Sequence, residues 1–229
     1  EKRGYFFVLT LTGDSDEHRL SPAAIADVLS SLREAKSQAT RGSVLITTSQ
    51  GRFFSNGLDL GWARSAGSRS EAAERLNHMV DSLISLPMPT VAVVQGHAAA
   101  AGFVLALCHN YVLMRSDRGV LYMSEVDLGI PLPDYFTVLF RAKIGSVSAR
   151  RDALLRGTKI RGADAARLGI VDGVKGSEEE LEDAGIRLAE QLAARKWDGE
   201  IYKVIRQSLY PELCGVLGLG VSKPVLSKL

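Results

Sequence analysis

The sequence predicts an α/β fold, and three observations carry that prediction. Short apolar runs rich in β-branched residues recur along the first half, and stretches with helical periodicity separate them. From Asp134 onward the pattern turns mostly helical. Strand, helix, strand, helix, strand is the order of an α/β domain, in which crossover helices pack on a sheet.

Residues 5–11 (YFFVLTL) form the first β-rich run, which ends at Gly13. Ser21 and Pro22 read as an N-cap and first helical residue, and Ile25, Val28, Leu29 and Leu32 then recur on one helical face. Residues 44–48 (VLITT) make the second strand. Leu76, Met79, Val80 and Leu83 mark another helix, closed by Pro87, Met88 and Pro89 before a third strand at residues 90–95 (TVAVVQ). Residues 103–107 (FVLAL) suit a buried helix. Further helices are expected near 136–142, 146–156, 178–194 and 201–209, with Asp134 capping the first and a strand-like GIVDGV at 169–174. One domain is expected overall, with a core over residues 1–175 and a C-terminal helical region and tail over 176–229. There is no internal repeat or low-complexity linker.

Composition excludes several classes. A chain of 229 residues with 46% hydrophobic content suits one soluble globular domain. A formal net charge of +2, with both signs interspersed, lacks the concentrated positive field of a nucleic-acid binder. Only Cys108 and Cys214 occur, without metal or redox spacing, so no disulfide framework or metal site is expected and a reducing compartment fits. No apolar run approaches a membrane span, and the first residues lack the basic start and apolar core of a signal peptide. The given chain starts at Glu1, so its true start is taken to be missing. Ser227, Lys228 and Leu229 spell the peroxisomal address that an import receptor reads at a free C-terminus, which points to the peroxisome.

Two segments carry the chemistry. Residues 53–60 (FFSNGLDL) follow a strand and the Gly51 turn, and Gly57 frees the backbone to turn sharply and lets a ligand reach the next amide. Residues 96–102 (GHAAAAG) follow the third strand, and their small side chains clear space around a helix N-terminus where free N–H groups collect. Each alone is equally well an ordinary turn or a close-packed helix start. Together they offer two sets of backbone donors at strand ends, which suits an oxygen that becomes negative during reaction.

These residues resemble the enoyl-CoA hydratase/isomerase, or crotonase, superfamily. FSNGLDL matches its first signature, GHAAAAGFVLAL its second, and SEVDLGI a following segment. The resemblance implies a ClpP-like spiral of repeated ββα units with a C-terminal helical region, an acyl-CoA substrate, and assembly as a homotrimer or hexamer. It also implies that the N–H groups of Leu58 and Ala101 form the oxyanion hole. Coenzyme A, as part of the substrate and with no other cofactor required, would meet Ser55, Asn56, Gly57, Asp59 and Gly102. Arg19, Lys196, Lys203 and Arg206 are candidates for its phosphates, although solvated charge is the stronger explanation of them.

The family carries carboxylates at two positions, and this chain has Val104 at the first and Glu125 at the second. Hydration benefits from two acid/base groups, whereas moving a double bond from the delta-3 to the delta-2 position needs one base. Glu125 is therefore the expected base of an isomerase, with Asp134 as the alternative on a stretch where some isomerases of the family carry theirs. Asp59 reads as the cap of the following turn, and His97 as structural. A hydratase or acyl-CoA hydrolase of the same fold, or an acyl-CoA-binding protein without activity, are the competing readings.

Overall fold

The computed structural model describes residues 1–13, 15–65 and 68–220. Ser227, Lys228 and Leu229 lie outside them. In chain order the strands are β1 (Lys2–Arg3), β2 (Phe6–Leu11), β3 (Val44–Ser49), β4 (Phe53–Ser55), β5 (Thr90–Val94), β6 (His97–Ala99), β7 (Tyr111–Arg115), β8 (Val120–Tyr122), β9 (Ile160–Arg161) and β10 (Gly173–Lys175). The helices are α1 (Pro22–Ser37), α2 (Leu60–Arg64), α3 (Ser68–Ile84), α4 (Ala101–Leu107), α5 (Glu125–Leu128), α6 (Asp134–Lys143), α7 (Val147–Leu155), α8 (Gly162–Arg167), α9 (Glu178–Ala194), α10 (Gly199–Leu209) and α11 (Pro211–Val216).

The strands form two sheets. The larger runs β1-β2-β3-β5-β7-β10 and is parallel except for the β1–β2 hairpin. The smaller runs β4-β6-β8-β9, with β4, β6 and β8 parallel and β9 antiparallel. Three successive passages, β3-β4, β5-β6 and β7-β8, each place one strand in either sheet before a helix follows, so the chain winds as a spiral of ββα units. This is the crotonase spiral.

Burial explains the strand composition. The central strands are covered on both faces, so they are nearly continuous apolar runs. Alternate side chains divide between two cores: Leu45, Ala92, Val94, Val112 and Met114 join the main core with α1, α3, α4 and α6. Val44, Ile46, Val91, Val93 and Leu113 meet Leu181, Ala189 and Leu192 of α9 on the other face. Leu213, Cys214 and Leu217, at the chain's other end, join the main core. Both cysteines are buried and free. No described helix is long and apolar enough to cross a membrane.

Local signals set several boundaries. Ser21 caps α1 by accepting from the Ala24 N–H at 3.2 Å, with Pro22 following as first helical residue. Two expectations are corrected. Pro133, not Asp134, is the N-cap of α6, and Asp134 stands in the first turn, where its charge opposes the helix dipole's positive end. Of residues 169–174, only Gly173 and Val174 enter a strand. Gly169 (φ 66°) ends α8 by a Schellman turn, its N–H donating to Ala166 and that of Ile170 to Ala165.

Two glycines let the loops after β4 and β6 interlock. A Cβ on Gly102 would lie 2.2 Å from the Ser55 carbonyl oxygen, and one on Gly57 (φ 77°) would lie 3.0 Å from the Ala100 Cβ. Gly102→Ala is expected to cost about 1–3 kcal/mol by overpacking, seen as a melting temperature lower by several degrees. An unchanged melting temperature would show that the contact relaxes freely.

Candidate active site

Because β4, β6 and β8 are parallel neighbours, the residues that follow them converge at one end of the small sheet. At the end of β4, Ser55 is fully buried, and its Oγ donates to the His18 carbonyl at 2.8 Å and accepts from the Gly57 N–H at 3.2 Å. Leu20 bridges to Leu58 by donating to Gly57 at 2.8 Å and accepting from the Asp59 N–H at 3.2 Å. Leu58 keeps its own N–H outside that bridge, without a hydrogen-bond partner among the described residues.

After β6, Ala100 adopts φ 51° and ψ −122°, a strained conformation for a residue with a side chain, and its N–H donates to the Tyr122 carbonyl at 2.9 Å. This turn sets Ala101 at the first position of α4, where a helix leaves its N–H unused. The Ala101 N–H likewise has no partner among the described residues.

Leu58, Ala101 and Glu125 all line one cavity of about 560 Å³, within the range of roughly 300–1,000 Å³ typical of small-molecule sites. Its walls are mainly apolar, from Leu60 and Ala63 of α2, Ala72 and Leu76 of α3, and Leu132 and Phe136 near α6. Glu125 is the only carboxylate among the described residues lining it. Its Oε2 is shielded from solvent and makes no hydrogen bond. Burial raises the Glu125 pKa above the usual carboxylate value, while the N–H groups of Glu125 and Ser124 pull it down.

The remaining expected site residues separate into two groups. Asn56 lines the cavity, whereas Ser55, Gly57, Asp59 and Gly102 do not. Ser55 and the two glycines hold the loops together, and Asp59 caps α2, its carboxylate accepting from Gly61 and Trp62. Val104 is buried in the main core, 1% exposed. Asp134 is exposed and does not line the cavity, although Pro133 and Phe136 on either side of it do.

His97 packs at 5.1 Å from the Phe53 ring and edge-on to Tyr122, and burial with the nearby Arg52, Lys159 and Arg161 charges lowers its pKa. That favours a neutral, structural imidazole. Arg19 lines the cavity mouth, bonded to Glu17 and to the Leu58 carbonyl. Lys196, Lys203 and Arg206 do not reach it. Lys203 pairs with Glu200, and Arg206 is buried against the carbonyls of Leu86 and Met88 and the Asn110 side chain. Sequence reading missed Arg64, Tyr122 and the apolar wall, whose residues carry no motif.

Two backbone N–H groups without partners among the described residues, on residues that line a chamber with one carboxylate, fit an enzyme of the crotonase type. The chain belongs to the enoyl-CoA hydratase/isomerase family, whose sequence model matches residues 6–209. It is 62% identical to "Enoyl-CoA delta isomerase 2, peroxisomal" of Arabidopsis thaliana, over 96% of this chain and 94% of that protein. It is 57% identical to "Enoyl-CoA delta isomerase 3" of the same plant, with the same coverage of both chains. Among solved structures, an enoyl-CoA hydratase/isomerase family protein from Pseudomonas syringae superposes with a TM-score of 0.86 at 22% identity, covering 96% of this chain and 93% of that one. At that identity the likeness shows the fold alone.

Because the Glu125 pKa is raised on folding, its contribution to stability is full below the unfolded value near 4.5 and is lost as pH rises through the folded value. Glu125→Gln is therefore expected to raise the melting temperature at neutral pH, by an amount that shrinks as pH falls. Equal melting temperatures at neutral pH would show that the carboxylate is not strained by burial.

Proposed function

We propose that this chain is an enoyl-CoA delta isomerase, moving the double bond of a 3-enoyl-CoA to the 2-trans position in fatty-acid β-oxidation. The observation that carries this reading is the lone shielded carboxylate of Glu125 in a chamber that also holds two unpartnered N–H groups. Identity of 47–62% to three Arabidopsis proteins named as enoyl-CoA delta isomerases supports it.

In this mechanism the thioester oxygen accepts from the N–H groups of Leu58 and Ala101. Glu125 takes a proton from C2, which lies between the carbonyl and the double bond. The electron pair delocalises into a dienolate whose negative charge rests on the thioester oxygen. The same carboxyl group then returns the proton to C4, leaving the double bond between C2 and C3 and Glu125 ionised again. Each oxyanion donor is worth about 2.7–4 kcal/mol of barrier, and a positioned base roughly 10²–10⁴-fold in rate. Burial helps the base, since a carboxylate with a raised pKa binds the abstracted proton more strongly. Glu125 is the only carboxylate among the described residues lining the chamber, and position 104 carries a core valine, which leaves no second carboxylate for the two-group chemistry of hydration. Coenzyme A enters with the substrate, and no resident cofactor takes part in this route.

Glu125→Gln is expected to lower kcat for 2-enoyl-CoA formation by about 10²–10⁴-fold while a saturated acyl-CoA still binds. In the parent protein the rate should fall as pH drops through the raised Glu125 pKa, and that acid limb should vanish in the variant. Near-parental turnover in Glu125→Gln would remove the residue from the mechanism.

Peroxisomal location belongs to the same proposal. Two of the Arabidopsis relatives carry it in their names, and Ser227, Lys228 and Leu229 match the import tripeptide. Deleting these three residues from a tagged protein is expected to disperse it into the cytosol. Retained organelle fluorescence would overturn their role.

A further inference from the structure

The chamber has a closed end and an open one. Ala72, Leu76 and Phe136 are 2%, 2% and 3% exposed, whereas Leu128 and Ile130 are 51% and 38% exposed. The inner wall is therefore made by α3 and α6, and the rim by α5 and the turn after it. Ala101, with its unused N–H, belongs to the shielded side at 2% exposed. For a thioester bound there, α3 offers apolar lining in Ala72, Ala73 and Leu76, none of which carries a polar side chain.

The inner wall is also braced. The Tyr135 hydroxyl donates to the Ala73 carbonyl at 3.2 Å, joining α6 to α3, and the Tyr135 ring packs edge-on against Phe136 with centroids 5.0 Å apart. Tyr135 is 6% exposed, so a retreat of α3 would leave a buried hydroxyl unpaired. Leu76, Met79, Val80 and Leu83 anchor the same helix in the main core. Bulk added to α3 on the chamber side is thus taken from the chamber and not absorbed by movement of the helix.

We propose that Ala73 sets the length of acyl tail the chamber accepts, admitting an unbranched aliphatic chain that runs past the reacting carbons to α3. This deepens the isomerase reading and rests on it for the direction of the bound thioester. Ala73 is the informative position, because it is only half-buried, whereas Ala72 is 2% exposed and its enlargement would disturb packing as well as the chamber.

The test compares the parent with Ala73→Leu and Ala73→Val on 3-hexenoyl-CoA and 3-dodecenoyl-CoA. The ratio of kcat/KM for the long substrate over the short one should fall about tenfold in Ala73→Leu and by less in Ala73→Val, the scale expected when methylene-sized space is lost from an apolar pocket. Dissociation constants for hexanoyl-CoA and dodecanoyl-CoA, which contain no double bond to move, should shift in the same sense. If Ala73→Leu shows no cooperative melting, Ala73→Val carries the comparison. Ratios unchanged within about twofold, or equal losses for both chain lengths, would overturn the proposal while parental turnover keeps the isomerase reading. Shifted binding ratios without parental turnover on either 3-enoyl-CoA would do the reverse.

Discussion

The arrangement depends on one constraint, the parallel pairing of three strands that are each only three residues long. Strands β4, β6 and β8 are too short to hold a sheet by their own ladder, and the larger sheet positions them because each continues from one of its strands. Parallel pairing then brings their following residues to one end, which is why Leu58, Ala101 and Glu125 share a chamber although they are far apart in sequence. The close fit of Gly102 on Ser55 and of Gly57 on the loop around Ala100 fixes the distance between the two donor-bearing turns. The large sheet is in this sense a jig for the small one.

Stability and chemistry pull against each other at two places. An alanine at φ 51° is strained, and a shielded carboxylate oxygen without a donor is costly to ionise. Both lie at the site, and the surrounding core over-determines them: α4 is buried along its whole length, and Phe103 packs against Phe140 with ring centroids 4.9 Å apart. Burial outweighs the N–H groups of Glu125 and Ser124 and raises the carboxyl's pKa above the usual value.

The parts legible in the sequence were those with a long period or a local chemical signal. Helix α9 follows its expected bounds, Glu178–Ala194, because seventeen residues show a clear apolar stripe behind the Ser177 cap. Strands β4, β6 and β8 could not be read, since three residues show no alternation. Nor could the wall of the chamber, because Ala63, Ala72 and Ala73 matter for the space they leave empty. Helix α10 inverts the usual pattern, with Ile201, Ile205 and Leu209 exposed and Arg206 buried. The reason for the burial of Arg206 lies elsewhere in the chain: the segment around Pro87 and Pro89 is poor in backbone donors, and Arg206 supplies hydrogen bonds to the carbonyls of Leu86 and Met88. No reading of α10 alone reveals that demand.

The donors of the proposed oxyanion hole belong to the main chain, and this has a consequence for how such a protein changes over generations. Almost any codon at position 58 or 101 still encodes an N–H; proline is the sole exception. Those two donors are thus shielded from most point mutations, whereas the Glu125 carboxylate and the chamber wall are written in side chains and open to them. On this scaffold the wall of the chamber can change residue by residue while the main-chain donors stay in place.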